Sequence, residues 1–167
     1  MPDDCYRSCR SIRGWRRNQP GVAQRGRLLW DLDPEHFQVP RAEGLVEGWD
    51  NLFDRHPGDS LHLVAELGGQ VIGWLGARIE PPGRDASAEL TREQGWTRLF
   101  VASLIVDRAH WRSGAGAALL EAAEAWGREH GAQVARLDTY AYSPVSVPFY
   151  EDHMGCQRRS IVFQKRL

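Results

Sequence analysis

The residues best suited to chemistry crowd into one stretch, Leu104-Ile105-Val106-Asp107-Arg108-Ala109-His110-Trp111-Arg112-Ser113-Gly114-Ala115-Gly116-Ala117. An apolar strand end at Val106 leads into a polar connection. Two glycines one residue apart, Gly114 and Gly116, then open a small-residue helix. The first turn of a helix carries N–H groups with no intrahelical acceptor. Glycine lets an anion come close to them, and the helix dipole favours negative charge there. The pattern predicts a pyrophosphate cradle. A P-loop is excluded, because it needs Gly-Lys-Ser/Thr and the only lysine is Lys165. A dinucleotide fingerprint fits Gly114 and Gly116 and finds a ribose acid in Asp138. Its third small position, however, falls on Leu119, and the connection from Val106 is longer than the usual tight turn.

The elements that must position this loop follow from periodicity. Leu119, Ala122, Ala123 and Trp126 repeat at i, i+3, i+4 and i+7, which predicts a helix over 114–130 closed by Gly131. Glu124 and Arg128 fall in the favourable i, i+4 order on its other side. Residues 96–106 read as a strand with a dense apolar end. Before it, Leu61, Leu63, Ala65 and Leu67 alternate with His62, Val64 and Glu66. Gly68-Gly69 makes a turn, and 70–79 returns as a second strand. After the helix come a strand at 133–140, a short helix at 144–153 and a last strand at 156–165. Asp3 or Asp4 caps a predicted helix running to about Arg17, with Cys5, Cys9 and Ile12 near one face. A second helix spans about 41–55. Alternating strands and helices predict an α/β (α+β) domain.

Composition sets the bounds. At 167 residues there is room for one domain with one core. A net charge of −1 provides no global field for nucleic acid or anionic membrane. The apolar runs are too short to span a bilayer, and the acidic start, Met1-Pro2-Asp3-Asp4, lacks a signal-peptide core. A cytoplasmic protein is expected. Three cysteines read as small hydrophobes, and the six histidines show no zinc spacing, so no metal is expected.

Two motifs, in order, carry a resemblance. Trp111-Arg112-Ser113-Gly114-Ala115-Gly116 resembles the Gln/Arg-x-x-Gly-x-Gly/Ala loop of the GNAT superfamily of acyl-CoA-dependent N-acetyltransferases. Ser143-Pro144-Val145-Ser146-Val147-Pro148-Phe149-Tyr150-Glu151 resembles that superfamily's Asn-x-x-Ala-x-x-Phe-Tyr-Glu. The resemblance runs from about Leu61 to the C-terminus. It implies a single domain with a mixed sheet of about six strands, splayed at the acetyl-CoA site. Residues 1–58 would form a helical acceptor-side region and 59–167 the acetyl-CoA-binding core. The usual first strand is expected to be missing, because the first helix is read as starting almost at Met1.

The resemblance also implies roles. Leu104, Ile105 and Val106 would pair with the pantetheine arm, and an N–H near Leu104 or Ile105 would polarise the thioester. Trp111, Arg112, Ser113, Gly114, Ala115, Gly116 and Ala117 would hold the pyrophosphate. Trp111 replaces a residue that contacts phosphate, so Arg112 takes over the charge, and Ser143 stands where an Asn often meets the pantetheine. Tyr150 would protonate the leaving thiolate. Asp138, then Glu66, or a water relay, would take the amine proton. The acceptor would be a small-molecule amine. Asp31, Asp33, Glu35, Glu89 and Glu93, with Trp30, His36, Phe37 and Trp96, are available to line its side. A homodimer is compatible with the family. The alternatives are a non-catalytic acyl-CoA-binding module and a nicotinamide-dependent oxidoreductase.

Overall fold

The computed structural model describes residues 6–8, 27, 29–39, 59–83 and 91–165. They form two compact units, Met1–Leu137 and Asp138–Leu167.

The first unit is built on a five-stranded sheet in chain order: β1 (Tyr6–Ser8), β2 (Ser60–Leu67), β3 (Gln70–Glu80), β4 (Arg98–Val106) and β5 (Val134–Leu137). The first three pairings are antiparallel, and β5 joins β4 in parallel. The β2–β3 hairpin turns on Gly68 (φ 59°) and Gly69 (φ 78°). Both lie in the left-handed region that a two-residue hairpin loop requires. As the central strand, β3 is buried on both faces from Ile72 to Ala77.

The long helix α1 (Ala115–Glu129) covers one face. Two glycines let it sit close. A Cβ on Gly73 of β3 would lie 3.3 Å from Leu119 Cδ1, and one on Gly127 of α1 would lie 3.1 Å from Leu99 Cβ. The core centres on this contact. Leu75, Leu99, Leu119 and Leu120 are among its fully buried side chains, and Trp74 is fully buried on the opposite face of the sheet. The predicted stop at Gly131 is realised as a Schellman motif. Gly131 (φ 77°) donates to Arg128 O at 3.1 Å, and Ala132 donates to Gly127 O at 2.8 Å. The Glu124–Arg128 pair forms at 2.9 Å on the solvent side.

In the second unit a short helix α2 (Ser146–Pro148) runs into a π turn, Phe149–His153. The wide turn closes by Met154 N–H donating to Phe149 O at 3.0 Å. Beyond it Arg158 donates twice to the Glu151 carboxylate, at 2.8 Å each.

Three expectations are corrected. The first strand is present: Tyr6, Arg7 and Ser8 pair with Ala65, Val64 and Leu63. An acidic cap favours a helix locally, but the edge of β2 offers a row of unsatisfied backbone groups, and pairing with it wins at these residues. The remainder of the predicted first helix, with Cys5 and Cys9, and the predicted helix 41–55 lie outside the described residues. The last strand does not form. Residues 156–165 have no regular structure, and Ile161, Val162 and Phe163 are 68%, 91% and 90% exposed. Strand propensity needs a ladder partner, and the described part of this unit contains no strand. The sheet of the described residues therefore has five strands rather than about six.

Candidate functional site

The site grows from an irregularity in β4. Gly76 pairs with Ser103, but the next residue, Ala77, pairs with Val101, so Ala102 is an extra residue on β4. This β-bulge re-phases the strand. Residues opposite one another in a ladder share a face. The α1 face therefore receives Val106, Leu104, Val101 and Leu99. The other face receives Ile105, Ser103, Phe100 and Arg98. The contacts of Gly73 with Leu119 and of Gly127 with Leu99 fix which face is which.

The bulge also marks where β4 loses its second neighbour. β5 pairs with Arg98, Leu99, Phe100 and Val101 and then stops. From residue 102 to 106, β4 pairs only with β3 among the described strands, and no described strand takes up its other edge. Asp107 N–H donates to Ile72 O at 2.8 Å, so residue 107 points toward β3. Backbone groups alternate along a strand, so Ile105 also points toward β3. A Cβ on Gly73 would meet Ile105 O at 3.1 Å, which agrees. Leu104 and Val106 then direct their N–H and C=O groups to the open edge. The Val106 carbonyl is already taken: the Trp111 indole Nε1–H donates to it at 2.9 Å. Leu104 N–H, Leu104 C=O and Val106 N–H remain on that edge.

The loop continues directly from it. Asp107 caps the single 3₁₀ turn Arg108–His110, its carboxylate accepting from Ala109 N–H at 3.1 Å. Trp111 packs under the Arg108 guanidinium, 5.8 Å from its ring centroid. Arg112 (φ 62°) and Gly114 (φ 89°) both adopt left-handed backbone around Ser113. Such a conformation in a non-glycine residue costs about 1–2 kcal/mol, and alternation of this kind gathers N–H groups into an anion-binding concavity. Ser113 N–H donates weakly to His110 O (3.4 Å), and Ser113 Oγ accepts from Ala115 N–H (3.4 Å). The N–H groups of Arg112, Gly114, Gly116 and Ala117 donate to no acceptor among the described residues. Gly114 has no neighbour within 4 Å of where a Cβ would stand. Arg112, within this loop, is exposed. The donor set fits a pyrophosphate.

The remaining predicted residues fall elsewhere. Ser143 is buried (3% exposed), and its hydroxyl accepts from Ser146 N–H at 3.0 Å, so it caps the turn that follows. Tyr150 is half-buried in the π turn, with its ring 5.1 Å from Phe149. Asp138 is exposed. These three belong to the second unit. Glu66 sits in β2, and β3 separates it from the open edge of β4. Among the suggested acceptor-side residues, Asp33 accepts from His36 N–H at 3.2 Å, and Asp31 pairs with Arg27 at 3.3 Å. Glu89 lies outside the described residues. Sequence reasoning missed the Trp111–Val106 hydrogen bond and the bulge at Ala102. The first had a visible signal, an indole donor five residues after a strand end. The second had none in the mostly apolar run Leu99–Val106. Among the described residues no group of three or more His, Cys, Asp or Glu could hold a metal ion, and no helix is long and apolar enough to cross a membrane.

A mixed sheet whose fourth strand parts from the fifth past a bulge and feeds a glycine-lined helix N-terminus is the architecture of acyl-CoA-dependent acetyltransferases. The acetyltransferase (GNAT) family model matches residues 26–156, and the chain belongs to that family. No curated protein matches its sequence. Among solved structures, a mutant of the BH1408 protein from Bacillus halodurans superposes with a TM-score of 0.80 at 15% identity, covering 97% of this chain and 98% of that one. An aminoglycoside acetyltransferase from an uncultured soil metagenomic sample, in complex with sisomicin, gives 0.53 at 17% identity, covering 84% of each chain. Aminoglycoside N-acetyltransferase AAC(6')-Iy in complex with CoA gives 0.54 at 19% identity, covering 75% of this chain and 87% of that one.

Proposed function

We propose that this chain transfers an acetyl group from acetyl-CoA to the primary amine of a small molecule by direct attack. The observation that carries the reading is the continuity of donors. Leu104 N–H and Val106 N–H on the open edge of β4 lead straight to the free N–H groups of Arg112, Gly114, Gly116 and Ala117. An extended arm ending in a pyrophosphate matches that row. Acetyl-CoA supplies an activated thioester whose sulfur is a good leaving group. Leu104 N–H is the group that faces the thioester oxygen and stabilises charge developing on it, as a preorganised backbone donor does. Ile105, whose backbone turns to β3, is then excluded as that donor. In this reading Tyr150 supplies the proton to the departing sulfur. Asp138, Glu66 or a water chain receives the amine proton. Trp111 and Ser143 hold backbone groups of the site in place rather than touching the donor through their own polar atoms. The small-molecule acceptor is supported by the aminoglycoside acetyltransferases that share the fold.

The test is a thermal-shift comparison of acetyl-CoA with NAD and NADP, followed by thiol release against a panel of amines. A ligand present at 100 times its Kd stabilises by about 2.7 kcal/mol, which acetyl-CoA alone is expected to do. Tyr150→Phe is expected to cut kcat at least tenfold and leave acetyl-CoA affinity unchanged. Full turnover in that variant removes Tyr150 from the mechanism.

A further inference from the structure

The face of the sheet turned away from α1 carries a charged group beside the bulge. Arg78 of β3 lies opposite Phe100 of β4, and Glu80 lies opposite Arg98. The Arg78 guanidinium rests on the Phe100 ring, 4.2 Å from its centroid, and donates one hydrogen bond to Glu80 Oε1 at 2.6 Å. Glu80 also faces Arg98 Nε at 3.6 Å, and Arg98 donates to Gln94 Oε1 at 2.7 Å. Among the described residues two guanidiniums thus share one carboxylate, which leaves this group one positive charge in excess. The two arginines differ in reach. The side chain of Arg98 is 13% exposed and works as a strut, while that of Arg78 is 32% exposed. A guanidinium has five N–H donors in a planar fork, and Arg78 uses one of them on a described residue. An aromatic platform and a carboxylate tether fix the plane of the fork, so little entropy is lost when it binds a second group.

Its position gives it a use. With the phosphate end at Gly114 and the thioester at Leu104, the donor runs along β4 toward Ala102, and its acyl end faces the residues just before the bulge. α1 covers one face there. An acceptor reaches the acyl group from the other, where Phe100 and Arg78 stand. We propose that Arg78, held on Phe100 by Glu80, docks a carboxylate of the acceptor, so the substrate is an amino-acid-like amine rather than a polycation. The inference rests on the acetyltransferase reading above. The fork pairs bidentately with a planar carboxylate, and the excess positive charge disfavours an aminoglycoside's ammonium groups.

The experiment uses the full chain, acetyl-CoA and matched acceptors: glycine with methylamine, γ-aminobutyrate with propylamine, and ε-aminocaproate with pentylamine. Sisomicin is added as a polycation. At least one carboxylate-bearing member is expected to show kcat/KM about tenfold or more above its partner and above sisomicin, as a charged hydrogen-bond pair provides. Arg78→Gln is expected to bring that ratio to about one. Arg78→Lys, which keeps the charge and loses the fork, should fall between. Ratios near one for every pair in the wild-type chain overturn the inference without any variant, as does a preference for sisomicin or an unchanged ratio in Arg78→Gln. Acetyl-CoA binding with no amine turned over also overturns it. Absence of both acetyl-CoA binding and turnover instead removes the acetyltransferase reading.

Discussion

Gly114→Ala separates the role of the loop in folding from its role in binding. Gly114 has φ 89°, where an L-residue is strained by about 1–2 kcal/mol. Nothing stands within 4 Å of the added methyl, so no clash adds to the strain. The expected loss of stability is therefore about 1–2 kcal/mol, or a fall in Tm of roughly 2–8 °C for a chain of this size. The methyl group would stand on the loop whose N–H groups are proposed to hold the pyrophosphate. A phosphate held there would lose one or two hydrogen bonds to a charged group, each worth about 1.5–3 kcal/mol. That corresponds to CoA binding weaker by about tenfold at the least and on the order of ten-thousandfold at the most. Gly131→Ala is the matched control, with φ 77° and equally open surroundings at the far end of α1. Both variants should melt lower by similar amounts in thermal denaturation, and titration calorimetry with CoA should show weakened binding in Gly114→Ala only. Equal CoA affinity in the two variants would refute the assignment of the loop as the pyrophosphate site.

Three further perturbations test other parts of the architecture. Trp111→Phe keeps the ring but removes the donor to Val106 O; it should cost about 1 kcal/mol in chemical denaturation. CoA affinity should change less than threefold, because the freed carbonyl is then open to the ligand. Gly76→Ala places a Cβ 2.5 Å from Trp74 Cη2, on an indole that is fully buried. Overpacking against so fixed a ring should destabilise by about 3 kcal/mol, read as a lower urea midpoint. The third concerns pH. Burial against the core holds the His62 imidazole down at about 4 from its ordinary 6.5, and the ring stacks on Trp74 at 6.0 Å. Between those values the unfolded chain binds more protons than the folded one, so stability rises with pH. It is complete above about 6.5 and is lost as pH falls toward 4. The ring is only half-buried, so the loss should be about 1–2 kcal/mol. His62→Phe should flatten that part of the pH–stability curve.

The segments legible from the sequence are those in which local and tertiary preferences agree. Leu119, Ala123 and Gly127 form a buried stripe at helical spacing, and Gly131 ends the helix in the conformation that glycine favours. The Gly68-Gly69 turn fixes a hairpin whose alternating leucines already indicate its buried face. What could not be read depends on partners distant in sequence. Nothing within Leu99-Phe100-Val101-Ala102-Ser103 singles out Ala102 as the extra residue. The bulge exists only in the register with β3 and in the point at which β5 ends. The opposite pair of errors at the chain ends has the same origin. Residues 6–8 form a strand because β2 offers them an edge. Residues 161–163 are apolar and β-branched or aromatic, yet they stay irregular without one. At the site, Gly114 and Gly116 announced an anion cradle. Which of Leu104 and Ile105 turns its N–H away from β3 could not be read from the sequence; it follows from the direction of a single backbone N–H, that of Asp107 toward Ile72.

The close seating of α1 has a metrical consequence. Leu119 is wedged at Gly73 near one end of the helix and Leu99 at Gly127 near the other, so the helix can neither slide along the sheet nor rise from it without opening the core. Its N-terminus and the Leu104 N–H are therefore held at a set separation by the same packing. Under the proposed acetyltransferase reading the domain would act as a gauge for the length of its donor: a thioester would be presented at the reactive position by the span between its phosphate handle and its sulfur. Selection among thioesters would then rest on that span, with the acyl group left to vary.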